Sequence, residues 1–143
     1  MQTVTALLAL LMWPIYLGQW ISVVDLPLAR RLGLQEQPDT IDPIYARDTA
    51  GTARWDLLSM WTLPVAGVLM LIDGAWWPYL ALIGGAVYLD TGGRQAIKLL
   101  GYRTEGVRVG TSQAVRRALG VYAVFVILGS IAIAMALIEI DPS

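Results

Sequence analysis

Apolar positions in this chain gather into four long stretches, separated by two polar segments and one tight turn. The first stretch runs from about Val4 to Val24 and holds no ionisable residue before Asp25. The second runs from about Leu57 to Ile72 and reaches full length with Trp55 and Asp56 at an interface. The third starts at Trp76 and stays apolar to Leu89; the fourth, Ala118 to Ile138, offers only Tyr122 and Ser130 as polar side chains. A bilayer core of roughly 30 Å is crossed by about 20 apolar residues in a helix. A helix of that length in a soluble bundle needs a polar face, and these stretches lack one. The pattern therefore predicts an all-α fold, a polytopic integral membrane protein with four transmembrane helices in an antiparallel bundle. Residues 1–143 form a single membrane domain, with helices at about 4–24, 55–72, 76–97 and 113–138 and loops at about 25–54 and 98–112. A three-span variant, with the second or third stretch re-entrant, is the alternative.

The links differ in kind. Asp73-Gly74-Ala75 reads as a tight turn that makes spans two and three an antiparallel hairpin. The segment from Asp25 to Arg54 carries Pro27, Pro38 and Pro43, and is expected along the membrane surface or folded over the helix ends. Within it, Leu26 to Leu34 has the makings of a short interfacial helix closed by Gly33. Thr111 or Ser112 is placed to cap the last helix. Gly92-Gly93 argues for a break in the third.

Charge fixes the orientation. The ten basic residues are Arg30, Arg31, Arg47, Arg54, Arg94, Lys98, Arg103, Arg108, Arg116 and Arg117, and all fall in the two large loops or at helix ends beside them. The positive-inside rule then puts both loops in the cytoplasm and both termini on the outer side of a cytoplasmic (inner) membrane. The first stretch lacks a positive n-region and an A-x-A site, so it reads as an uncleaved helix and not a signal peptide. Aromatic residues follow the same map. Trp76, Trp77 and Tyr79 sit just past the outer turn, and Trp20, Trp55, Tyr88 and Tyr122 near the inner ends. The two loops are of opposite sign: residues 25–56 sum to −2 and residues 90–117 to +4. The basic loop can meet anionic headgroups through Lys98, Arg103, Arg108, Arg116 and Arg117. Equally, it can dock on the acidic loop, in the same molecule or a neighbour.

Composition narrows the chemistry. The chain has no Cys and no His, and charged residues make up 15% against a usual ~25% for soluble proteins. Thiol catalysis, disulfides, His-ligated haem, common zinc sites and Ser-His triads are thereby excluded. No metal site, no cofactor and no nucleic-acid partner are expected. Three features remain as candidate sites. Pro14 and Pro64 each leave a carbonyl four residues earlier, Leu10 and Met60, without its helical bond. Both lie near mid-depth, where the kinks can open a ligand pocket lined by Trp13, Tyr16, Trp61 and Thr62. Asp90, Arg94 and Lys98 follow an i, i+4, i+8 spacing; on a continuing helix Asp90 and Arg94 pair, and they can form a polar rim over a cavity. Small residues at Ser130/Ala134 and Ala132/Ala136 allow close helix contact, within the chain or in a homo-oligomer.

The leading expectation is a non-catalytic accessory or scaffold subunit of a membrane complex, with the lipid bilayer and other membrane subunits as partners. It follows from the lack of titratable groups inside the spans. A binding protein or carrier for a hydrophobic small molecule or lipid is the first alternative. The second is a membrane enzyme acting on a lipid headgroup through Asp25, Asp56 or Asp90; ordinary carboxyl groups at an interface make it the least favoured.

Overall fold

A computed structural model describes residues 6, 7 and 9–141. The fold is all-helical. Among the described residues six helices follow in order: α1 Met12–Val24, α2 Leu26–Arg31, α3 Pro43–Ser59, α4 Thr62–Leu71, α5 Trp77–Thr104 and α6 Ser112–Ile140. Ala6, Leu7, Ala9 and Leu10 are helical as well and lead into α1. The expected start of the first span at Val4, and the placement of both chain ends, lie outside the described residues.

Several local expectations are met for identifiable reasons. Just past α2, Gly33 adopts φ +69°, its N–H donates to Arg30, and the N–H of Leu34 donates back to Ala29 at 2.9 Å. That is a Schellman stop, which glycine makes cheaply. The Asp25 carboxylate caps the same helix by accepting from the Leu28 N–H at 3.0 Å. The Asp73–Ala75 turn closes in a related way: Asp73 takes φ 51° and the Gly74 N–H donates to Leu69 at 2.9 Å. Thr111, not Ser112, caps α6 by accepting from the Ala114 N–H at 3.2 Å.

Two boundaries depart from the apolar pattern. Pro43 does not belong to a loop; it opens α3, where its missing N–H costs nothing because the first helical N–H groups have no partner anyway. The second stretch is then reached from a helix that already began at Pro43, and this path breaks at Met60–Trp61 before α4 resumes. Gly92-Gly93 causes no break. α5 runs unbroken for 28 residues, because Gly92 is needed for contact: a Cβ there would lie 2.6 Å from the Tyr122 carbonyl oxygen of α6.

Packing joins two layers. α1 rests on α2, α3 and α4, α6 lies antiparallel on α5, and α3 and α4 connect to α5. Toward the Asp73–Ala75 turn the layers close tightly through small residues. A Cβ on Gly85 would sit 2.7 Å from the Gly129 carbonyl, and one on Gly84 would sit 2.6 Å from the Leu63 nitrogen. Ala132 and Ala136 are buried in the same contacts, whereas Ser130 stays exposed and donates to Val126. At the other end the layers spread apart, and the two large loops lie across the gap.

A candidate ligand cavity under the clasped loops

The break between α3 and α4 leaves carbonyls 57 to 60 without ordinary helical partners, and each one finds a side-chain donor. Tyr16 Oη donates to Leu57 at 3.1 Å, Trp61 Nε1 to Leu58 at 3.1 Å, Thr62 Oγ1 to Ser59 at 2.9 Å and Tyr88 Oη to Met60 at 3.3 Å. Pro64 is the reason that Met60 needs such a donor. A lost backbone bond in an apolar setting costs about 1–3 kcal/mol if nothing replaces it. Tyr16, Trp61 and Thr62, expected to line a mid-depth pocket, are thus placed at the helix break. Trp13 packs edge-on against Tyr16 with ring centroids 6.1 Å apart. None of the four lines the cavity described next.

That cavity, of about 420 Å³, lies at the loop end between the two layers. One wall is α1, with Pro14, Ile15, Gly18 and Ser22. The opposite wall is α6, with Ala114, Ala118, Val121 and Phe125. The back is formed by α3 (Tyr45, Thr49, Thr52, Asp56) and α5 (Thr91, Gln95, Leu99), and the roof by residues 33–36 and Ile41. Its volume falls in the range of small-molecule sites, roughly 300–1,000 Å³.

The back wall is the polar one, and it is built by helical periodicity. Tyr45, Thr49, Thr52 and Asp56 follow i, i+4, i+7 and i+11 along α3; Thr91 and Gln95 are one turn apart on α5. Asp56 is only 2% exposed, Thr91 3% and Gln95 7%. Asp56 Oδ1 and Gln95 Nε2 are enclosed without a hydrogen-bond partner. The cations nearest in effect to Asp56 are Arg94 and Lys98. Both are occupied: Arg94 Nη2 lies 3.0 Å from Asp90, and Lys98 Nζ lies 2.6 Å from Asp48. The expected Asp90–Arg94 pair is therefore present, largely exposed and one helix face away from the cavity, and it does not rim it. Burial pushes the Tyr45 hydroxyl above its usual range, so it stays neutral on the wall.

The roof is fastened by the opposite charges of the two loops. Arg108 donates from its backbone N–H to Asp42 Oδ2 and from Nε to Asp42 Oδ1, each at 2.8 Å, and from Nη1 to the Asp39 carbonyl at 2.9 Å. Ile41 and Val109 form an antiparallel bridge, with the Asp42 N–H on the Arg108 carbonyl at 2.8 Å and the Gly110 N–H on Thr40 at 3.2 Å. Arg117 reaches the Gly33 carbonyl at 3.4 Å. Of the five cations considered for headgroups, Lys98, Arg108 and Arg117 are engaged within the chain; Arg103 and Arg116 form no ion pair among the described residues. The backbone N–H and then the guanidinium of Arg108 hold the Asp42 carboxyl below its ordinary range.

Sequence reasoning passed over Tyr45, Thr49, Thr52, Thr91 and Gln95. The signal was available as polar residues repeating on one face of each helix. No family model, curated protein or solved structure matches this chain. Among the described residues no cluster of acidic side chains is arranged to hold a metal ion.

Proposed function

We propose that this chain is a four-span protein of the cytoplasmic membrane, with both termini outside, and that it binds or carries a small amphipathic molecule in the cavity beneath the clasped loops. The observation that carries the ligand reading is the enclosed Asp56–Gln95 wall. Two polar atoms without partners cost about 1–3 kcal/mol each, and a molecule that bonds to them recovers that cost. A scaffold subunit has no use for unpartnered polar groups in the wall of a cavity, so the cavity favours a binding protein over it.

The membrane reading draws on α6, the one helix among the described residues that by length and composition is apolar enough to cross a bilayer. It draws also on a belt of exposed large apolar side chains, among them Val68, Leu71, Ile72, Ile83, Ile127, Ile131 and Leu137. A soluble monomer rarely exposes so broad an apolar surface. α5 at 28 residues is about 42 Å long, which is enough to cross and to carry Lys98 and Arg103 into water.

Two measurements test this. Single cysteines at Gly106 and Gly74, in a chain that has none of its own, should label from opposite sides of sealed vesicles; labelling from the same side removes the topology. Native mass spectrometry of the purified protein should show a retained small molecule, displaced when Gly18→Phe fills the cavity from α1. An empty wild-type spectrum, together with no saturable binding of any amphiphile, removes the ligand reading.

A further inference from the structure

Building on the ligand reading just given, we infer that the molecule this cavity accepts is a protonated primary or secondary amine with an apolar body, its ammonium on the Asp56 carboxylate and an oxygen acceptor beside it facing Gln95. Asp56 is enclosed in the back wall with Oδ1 unpartnered. The cations that act on it are each held by another carboxylate. A buried carboxylate without a partner is strongly unfavourable, and a ligand cation supplies what the chain withholds.

Three further features select the chemistry. Tyr45, Tyr122 and Phe125 border the same space, and aromatic rings attract ammonium groups. Glu36 adds a second carboxylate at the roof, while Arg117, the one lining cation, is turned to the Gly33 carbonyl. An anionic headgroup would thus face two carboxylates, Asp56 and Glu36, against a single lining cation. A carboxylate acceptor such as that of Asp56 asks for an N–H, which a quaternary ammonium lacks; a protonated tertiary amine has one, and a primary or secondary amine keeps a further N–H for a second acceptor in the wall. Gln95 Nε2 is a donor without an acceptor, so a hydroxyl, ether or carbonyl oxygen near the amine completes the match.

Isothermal titration of the full chain in non-ionic detergent at pH 7, with octylamine, octanol and octanoate, reads this directly. Octylamine should bind at least about tenfold more tightly than octanol, in line with a charged hydrogen bond, and octanoate should not bind. Asp56→Asn should weaken octylamine by about ten- to a hundredfold and leave octanol nearly unchanged, which also shows the variant to be folded. A second arm avoids Asp56: 1-aminooctan-2-ol should outbind octylamine several-fold on the wild type and lose that advantage in Gln95→Met. Octanol or octanoate binding as well as the amine, or an Asn variant that keeps its amine affinity, overturns the amine assignment while leaving a ligand site standing. Failure of every probe to bind removes the assignment and the ligand reading together.

Discussion

The two ends of this helical bundle use their small and polar residues in opposite ways. Toward the Asp73–Ala75 turn, Gly84, Gly85 and Gly129 bring backbones so close that a single Cβ would overlap main-chain atoms at 2.6 to 2.8 Å. At the loop end α5 and α6 stay in contact, but α1 and α3 stand off from them around about 420 Å³ of space, and Asp56 and Gln95 in its wall have polar atoms without partners. Close packing gives the turn end its rigidity through many small dispersion contacts. The loop end gives up that gain and is held across its roof by charge. A chain that needed only stability would close both ends alike, so the difference points to the loop end as the part shaped for another molecule.

The largest expected effect tests the tight end. Gly85→Ala puts a methyl group 2.7 Å from the Gly129 carbonyl and 2.8 Å from Ile133 Cγ1, and neither backbone can move without parting α5 from α6. A loss of about 1–3 kcal/mol is expected. Gly93, on the same helix, has nothing within 4 Å. Gly93→Ala should gain about 0.5–1 kcal/mol, because helical glycine costs entropy. Thermal unfolding of both variants in detergent compares them; equal shifts would mean that the close approach at Gly85 contributes nothing.

A smaller effect belongs to the point where the two ends meet. Tyr88→Phe removes the donor that Met60 receives in place of the bond denied by Pro64. The ring stays packed edge-on against Phe125, with centroids 5.0 Å apart, so the loss isolates one hydrogen bond. About 1–2 kcal/mol is expected. Restoring the backbone bond by adding Pro64→Ala to the Tyr88→Phe variant should return most of it. No rescue would show that the Tyr88 hydroxyl is not serving that carbonyl.

These cases also show what a reader of the sequence can and cannot see. The freed carbonyl at Met60 is legible, because proline chemistry is local; that Tyr88 answers it is not, because 28 positions separate them. Gly33 and Thr111 are legible for the same local reason. α3 escapes a search for apolar stretches because it carries polar residues on its cavity side, where Thr49, Thr52 and Asp56 line the wall. Pro43 and Gly92-Gly93 mislead because each residue has two uses, and only the packed neighbour decides which applies. The cavity itself is a property of how two layers spread, and no single segment encodes it.

The smallest effect concerns the roof. Asp42 and Arg108 meet in an exposed site, so their pair adds little to global stability, but it holds residues 39–42 against 108–110. The Asp42 carboxyl titrates lower in the folded chain than its ordinary 3.8. Its contribution is therefore complete above that value and is lost as pH falls through the lower folded one. Amide exchange at Asp42 and Gly110, whose N–H groups donate to Arg108 and Thr40 across the roof, should be slow at neutral pH, once corrected for intrinsic rates, and should quicken below about pH 4 while α5 and α6 keep their protection. Arg108→Ala should give the open rates already at neutral pH, with little change in melting temperature. If acid and the alanine variant leave these amides as protected as before, the backbone bridge at Ile41–Val109 holds the roof alone and charge has no part in it. If the whole bundle loosens with them, the loop end is not the separable region that its divergent packing implies.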